Sequence, residues 1–86
     1  MMTALDEDEA KKPYTTSDLG CITALVSSGL HIQSLDKSNP KRVVFVFDHS
    51  MKLLELVDSY WNGSLNVDAK TFFETQKWLK SRIYNA

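Results

Sequence analysis

The sequence contains few of the residues that cross-link small proteins or hold metal ions. Cys21 is the only cysteine among 86 residues, which excludes an internal disulfide and favours a reducing, cytoplasmic location. The two histidines, His31 and His49, stand at no metal-ligand spacing with Cys21, so we expect no metal ion and no cofactor. No run approaches the roughly 18 apolar residues of a membrane-spanning helix. The acidic start of the chain also lacks the apolar segment of a signal peptide, so we expect neither feature.

Common enzyme motifs are also missing. Three glycines are too few for a glycine-rich phosphate loop, and two of them, Gly29 and Gly63, follow helical patterns. Asp48-His49-Ser50 has the residue types of a hydrolytic triad, but adjacent side chains point apart, whereas triad members converge from separate positions. Capping of the next helix by Asp48 or Ser50 is the better interpretation. We therefore expect a protein that is not an enzyme.

Neither sign of charge dominates the chain. The formal net charge is −1, which gives no general attraction to nucleic acid or to a membrane surface. Four successive acids, from Asp6 to Glu9, lie in a segment that has no apolar periodicity and ends at Pro13. We interpret residues 1–13 as a disordered acidic arm and residues 14–86 as a single domain with one modest core.

The densest apolar run, from Val43 to Phe47, predicts the central strand of this domain. Its residues are all β-branched or aromatic, which suits a pleated sheet better than a helix. A continuous run, rather than an alternating one, indicates that both faces of the strand meet apolar groups. Helices of this chain would cover one face, and in so short a chain another subunit would cover the second.

The remaining patterns predict one more strand and three helices. Weak alternation from Leu30 to Asp36 and a polar turn at Asn39-Pro40 predict an antiparallel hairpin with the central strand. Apolar residues at three- and four-residue spacing predict three helices. The first starts within Thr15-Thr16-Ser17-Asp18, with hydroxyl caps and Asp18 in its first turn, and ends at Ser27-Ser28-Gly29. The others span about residues 51–62 and 68–84. The fold class is therefore α+β, an antiparallel β-hairpin packed with three helices in the order α-β-β-α-α. The residues expected to be buried on the third helix are Phe72, Phe73, Leu79 and Ile83, with Trp78 at their flank.

An aromatic pair is the first candidate for partner binding. Tyr60 and Trp61 are adjacent large aromatic residues at the end of the second helix. Such residues suit an anchor in a protein interface, although core positions are the alternative interpretation.

Basic residues form the second candidate surface, for nucleic acid. Lys70, Lys77 and Lys80 fall within about a quarter-turn of the third helix, and Arg42 follows the hairpin turn. These cations could contact phosphates, with a nearby aromatic residue as stacking partner. The alternative interpretation is a solvated helix face.

Open strand edges lead to the functional prediction. A two-stranded hairpin leaves edges that are templates for pairing with another chain, so we expect a homodimer with a four-stranded sheet. The predicted function is a non-enzymatic interaction module for protein–protein contact or self-association. The alternative is a weak nucleic-acid-binding domain that uses the basic face of its C-terminal helix.

Several short motifs in a fixed order carry a family resemblance. They are Tyr14-Thr15-Thr16-Ser17-Asp18-Leu19, Val44-Phe45-Val46-Phe47-Asp48, Tyr60-Trp61-Asn62-Gly63 and Leu79-Lys80-Ser81-Arg82-Ile83-Tyr84. Over residues 14–85 the chain resembles a family of small bacterial and phage domains of unknown function. The resemblance implies a compact α+β unit in the cytoplasm of a bacterium, or of the host of a phage. It supplies no activity, cofactor or catalytic residue, and a phage-type accessory or inhibitor protein fits this class.

Overall fold

The computed structural model describes residues 12–84, which form three helices and a three-stranded antiparallel sheet. The elements in chain order are β1 Tyr14–Thr16, α1 Leu19–Ser27, β2 Ser34–Asp36, β3 Val44–Phe47, α2 Met51–Asn62 and α3 Ala69–Tyr84. The predicted α+β class is confirmed. The predicted acidic arm, residues 1–13, lies outside the described residues except for Lys12 and Pro13.

β3 is the central strand of the sheet, whose order is β1-β3-β2. β2 and β3 form the predicted antiparallel hairpin, with Ser34 opposite Val46. β1 was not predicted, and it pairs with the other edge of β3, with Tyr14 opposite Phe47. Both outer strands are antiparallel to β3 and therefore run parallel to each other. A three-residue segment carries no readable alternation, so only its pairing with β3 defines β1 as a strand.

Local side chains begin the helices, but the predicted start of the first helix was wrong, because residues 14–16 form β1 and Asp18 is the cap rather than a first-turn residue. The Cys21 N–H donates to Asp18 Oδ1 at 2.8 Å, and the Leu53 N–H donates to Ser50 Oγ at 3.0 Å. Asp68 caps α3 in the same way, accepting from the Thr71 N–H at 2.9 Å. These caps satisfy N–H groups that have no partner inside a helix. Gly63 ends α2 with φ +82°, a left-handed conformation that favours glycine.

α1 is the central helix and is packed against both α2 and α3. It therefore buries residues all around its circumference, at successive positions 21–25, whereas α2 and α3 each bury one residue fully. The helices cover the face of β3 that carries Phe45 and Phe47. The buried core cluster is Cys21, Ile22, Leu25, Phe45, Phe47, Leu53 and Leu79. Each large apolar side chain in it contributes about 1.5–3 kcal/mol by burial.

The opposite face of the sheet carries Val44 and Val46, which are half-buried. Their cross-strand neighbours on that face, Thr15, Ser34 and Asp36, are exposed. The described residues therefore do not supply the second apolar cover predicted for the central strand. A covering subunit stays a prediction.

Candidate interaction surface

A groove of about 610 Å³ lies between the edge strand β2 and the C-terminal half of α3. We call it the β2–α3 groove, and its lining residues are His31, Ile32, Gln33, Ser34, Leu35, Lys37, Trp78 and Arg82. β2 pairs with β3 along one edge, and no strand among residues 12–84 pairs with its other edge. Free backbone N–H and C=O groups on such an edge can pair with an added chain. The groove therefore combines an open strand edge with a helical wall.

Trp78 supplies the apolar part of the helical wall. Its side chain is 50% exposed, and the Arg82 guanidinium carbon lies 5.7 Å from the centre of a Trp78 ring. The two residues are four apart on α3, so they share one side of the helix. A cation over an aromatic face is attracted by the ring electrons, which favours this arrangement of the two side chains. A rigid aromatic surface remains accessible beside the open edge of β2.

The charged side chains that line the groove are basic. Lys37 Nζ donates to the Arg82 carbonyl oxygen at 3.1 Å, which joins the end of β2 to the last turn of α3. A lysine at a helix C-terminus satisfies a free carbonyl and complements the helix dipole. Asp36 is adjacent in sequence but points to the opposite face of the sheet, because side chains alternate along a strand. No acidic side chain is among the lining residues.

A second exposed surface on α3 contains the three lysines that were predicted to bind nucleic acid. We call it the lysine stripe, and its members are Lys70, Phe73, Lys77, Lys80 and Tyr84, spaced by three and four residues. Phe73 is 61% exposed and Tyr84 is 79% exposed. Lys77 Nζ lies 5.5 Å from the centre of the Phe73 ring. The stripe therefore alternates cations with accessible aromatic rings.

The exposure of Phe73 contradicts its predicted place in the core. The buried side of α3 is centred on Leu79, which is fully buried, and Phe72 and Ile83 flank it as half-buried residues. Phe73 is about 120° around the helix from Leu79, too far to reach the same core. The prediction that Phe73 is buried was wrong, because an apolar side chain does not by itself indicate a buried position.

Arg42, the fourth predicted nucleic-acid contact, lines a cavity to which no lysine of the stripe contributes. Its Nε donates to Ser17 Oγ at 2.7 Å. The cavity has a volume of about 360 Å³, and Lys41 and Ile83 also line it.

The predicted partner-binding pair, Tyr60 and Trp61, is divided between the interior and the surface. The two rings meet edge to face, with centres 4.9 Å apart and planes at 82°. Tyr60 is half-buried and its hydroxyl group lies against Gly20 of α1, where an added Cβ would collide with it. Trp61 is 62% exposed. Tyr60 therefore packs α2 onto α1, while Trp61 is accessible to a partner.

A set of weakly acidic groups surrounds the start of α1. Burial raises the pKa of the Cys21 thiol, and Asp18 raises it further. Burial, followed by the nearby Cys21, raises the pKa of the Tyr14 hydroxyl. Burial and Asp18 also raise the pKa of Tyr60. A reactive cysteine requires a lowered pKa and access to solvent, and Cys21 has neither.

The Asp48-His49-Ser50 segment has a structural role in this fold. Ser50 caps α2, as predicted from the sequence. His49 stacks with Tyr14, with ring centres 6.4 Å apart and planes at 30°. Within residues 12–84, no group of three or more histidine, cysteine, aspartate or glutamate residues could hold a metal ion.

Sequence reasoning missed the β2–α3 groove. The i, i+4 spacing of Trp78 and Arg82 was the only signal of a shared exposed flank. Nothing in the segment from His31 to Leu35 indicates that it lies beside α3, because that contact is made by the packing of distant elements.

Comparison with known proteins places the chain in a family. A family model described as Domain of unknown function (DUF5659) matches residues 11–85. The chain belongs to this family. The predicted membership of a family of unknown function is thereby confirmed, while the bacterial or phage origin stays a prediction. No curated protein and no solved structure matches the chain. Among the described residues of this DUF5659 member, no helix is long and apolar enough to cross a membrane.

Proposed function

We propose that this chain is a non-enzymatic interaction module that binds another polypeptide along the open edge of β2. The observation that carries the proposal is an edge of β2 that no strand among residues 12–84 pairs with, beside a groove with an exposed tryptophan. Addition of a strand to a sheet edge uses main-chain hydrogen bonds for affinity and adjoining side chains for specificity. The partner is another protein or a second copy of this chain.

Exposed apolar side chains support a binding role. Among residues 12–84, the large apolar residues at the surface are Met51, Trp61, Phe73, Trp78 and Tyr84. Tryptophan and tyrosine are enriched at the energetic centres of interfaces. A cytoplasmic location, and a role as a bacterial or phage-type accessory or inhibitor protein, belong to the same proposal and fit the single buried thiol.

Selection of linear peptides from a random displayed library tests strand addition. We expect the selected peptides to slow amide hydrogen exchange within β2, residues 34–36, because an added strand pairs with the outer edge of β2. Trp78→Ala should weaken their binding. Trp61→Ala is the matched control, since it removes an equally accessible tryptophan from another helix, and it should leave affinity unchanged. Slower amide exchange confined to α2, or a loss of affinity in Trp61→Ala alone, would contradict the proposal. Either result would show that the peptides bind at the Tyr60–Trp61 region instead.

Nucleic-acid binding is the second candidate function, and the lysine stripe favours it. Lys70, Lys77 and Lys80 extend with Phe73 and Tyr84 over roughly 21 Å of one helix face. Single-stranded nucleic acid is commonly bound by cations that follow the backbone and by aromatic rings on which bases stack. The low net charge of the chain makes this the weaker candidate.

Fluorescence anisotropy of labelled DNA and RNA, at low and physiological salt, tests the second candidate. Binding should weaken steeply with salt, because each contacted phosphate releases counterions. Reversal of all three stripe lysines to glutamate should abolish binding. Lys52→Glu on α2 is the control. Arg42→Glu tests separately whether the fourth predicted cation contributes to binding. An affinity unchanged by the triple reversal would exclude the stripe.

A further inference from the structure

We propose that the β2–α3 groove binds an extended acidic segment of a partner protein, with an apolar side chain of that segment against Trp78. This inference rests on the proposed function and names the chemistry of the partner. The ligand's main chain would pair with the open edge of β2. Its carboxylates would meet Lys37 and Arg82.

The shape of the groove suits an extended chain. One wall is a strand edge and the other is a helix, so a segment lying between them is parallel or antiparallel to β2. The volume of about 610 Å³ falls within the range of roughly 300–1,000 Å³ that is common for ligand sites. An added strand advances about 3.3 Å per residue, so a few residues span the paired part of β2.

The charges of the groove favour acidic side chains at its Lys37 end. Lys37 donates one hydrogen bond to the Arg82 carbonyl, and an ammonium group has two further N–H donors. The Arg82 guanidinium is exposed above Trp78 and is not used in any ion pair described for this region. No acidic side chain lines the groove, so a carboxylate entering it meets attraction from both cations.

The same features disfavour a nucleic acid in this groove. An open strand edge presents C=O groups as well as N–H groups, and carbonyl oxygens repel phosphate. A peptide main chain offers complementary donors and acceptors to both. A polypeptide with acidic side chains satisfies the edge and the cations together.

Tryptophan fluorescence gives a reading from the groove itself. In a Trp61→Phe variant, Trp78 is the sole tryptophan of the chain. The probe is an eight-residue blocked peptide in which glutamate and valine alternate. We expect a saturable shift of Trp78 emission that weakens with salt, since exposed charges are screened. The reciprocal Trp78→Phe variant reports from Trp61 and should show no shift.

Matched peptides and variants test the charge requirement. Replacing every glutamate of the probe by glutamine should weaken binding at least about tenfold, and replacing them by lysine should abolish it. The double variant Lys37→Glu/Arg82→Glu should weaken binding of the acidic peptide to a similar extent. Lys52→Glu reverses an exposed charge on α2 and should leave affinity unchanged. Far-UV circular dichroism shows that each variant is folded.

Amide hydrogen exchange separates strand addition from simple charge attraction. The acidic peptide should slow amide hydrogen exchange within β2, residues 34–36, whereas a polyanion attracted only by charge should not. A single-stranded oligonucleotide that shifts Trp78 emission and displaces the peptide would overturn the inference in favour of a general anion site.

The remaining outcomes distinguish this inference from the proposed function. Equal affinity for the glutamate and glutamine peptides would overturn the acidic specificity but leave strand addition standing. Library-selected peptides that protect β2 without any acidic residue would do the same. If neither the acidic probe nor the library yields protection of β2, both the inference and the proposed function are wrong.

Discussion

At the scale of single residues, Gly20 and Tyr60 show how closely α1 and α2 approach. A side chain on Gly20 would meet the hydroxyl group of the half-buried Tyr60, so the two helices could keep their present approach only if that ring moved. Glycine is ordinarily unfavourable inside a helix, by about 0.5–1 kcal/mol relative to alanine. Its presence in the first turn of α1 is therefore explained by the contact between helices.

Gly20→Ala tests this contact. We expect a net loss of about 1 kcal/mol in the free energy of unfolding, because a steric cost of roughly 1–3 kcal/mol exceeds the gain in helix propensity. In a Tyr60→Phe background the hydroxyl is absent, so the same change should be neutral or stabilising. Urea unfolding of the four proteins of this double-mutant cycle gives the answer. Additive effects of the two changes would show that the helices are not in contact there.

The weak acids near the start of α1 predict a loss of stability at alkaline pH. Burial raises the pKa of Cys21 above its ordinary 9.0 and that of Tyr14 above 10.0. The unfolded chain therefore releases these protons at lower pH than the folded chain does. The resulting stabilisation is complete below about pH 9 and is lost as pH rises through the folded-state pKa values.

Urea unfolding between neutral and alkaline pH measures how steeply the free energy of unfolding falls with pH, which we call the slope. Cys21→Ala should reduce the slope, although it also lowers stability at every pH by opening a small cavity. Tyr84→Phe removes an exposed hydroxyl and is the control, with an expected slope equal to that of the unchanged protein. A free energy of unfolding that stays constant above pH 9 would contradict the prediction.

At the scale of elements, α3 has one buried side and two exposed surfaces. Its buried side meets the core through Leu79, and its exposed sides form the lysine stripe and one wall of the β2–α3 groove. The helix can therefore lose surface side chains without losing its place in the fold. Substitutions on the surface of α3 are thus suitable for testing binding.

Leu79→Ala and Phe73→Ala form a matched pair on α3. Leu79→Ala should cost about 2–5 kcal/mol, because it leaves a cavity among α1, the sheet and α3. Phe73→Ala should change stability by no more than about 0.5 kcal/mol, because its ring is mostly exposed. Chemical denaturation of both variants measures the difference. Similar losses in the free energy of unfolding would mean that Phe73 is buried as well as Leu79, which would contradict this orientation of α3.

At the scale of the whole molecule, as far as residues 12–84 describe it, the sheet has helices on one face and edge strands without a further partner at both sides. With β1 included, a dimer joined through two β2 edges would contain six strands rather than the predicted four. Such a dimer brings the cations Lys37 and Arg82 of both copies to one seam. Like charges oppose this association, and salt screens them.

Sedimentation velocity at several protein concentrations and two salt concentrations tests self-association. We expect weak association that strengthens with salt, the opposite of the salt dependence expected for an acidic peptide. The acidic peptide should dissociate the dimer, because both need the same strand edge. Trp78→Ala should weaken the association and Trp61→Ala should not. A sedimentation coefficient that is independent of concentration would exclude the homodimer.

The sequence by itself determined the features that depend on neighbouring residues. The caps at Ser50 and Asp68 and the glycine end of α2 were predictable, because each is a hydrogen bond or a backbone conformation within a few residues. The α+β class followed from the same local patterns and from the apolar run that became β3.

Only the tertiary structure decided which surfaces face outward. Tyr60 is half-buried and Phe73 is exposed, although both are aromatic residues in apolar patterns, because packing against α1 sets the rotation of each helix. β1 is a strand only because β3 pairs with it, and the groove exists only because α3 ends beside β2. Strand pairing and helix packing join residues that are far apart in the chain. The pattern of neighbouring residues therefore does not predict these contacts.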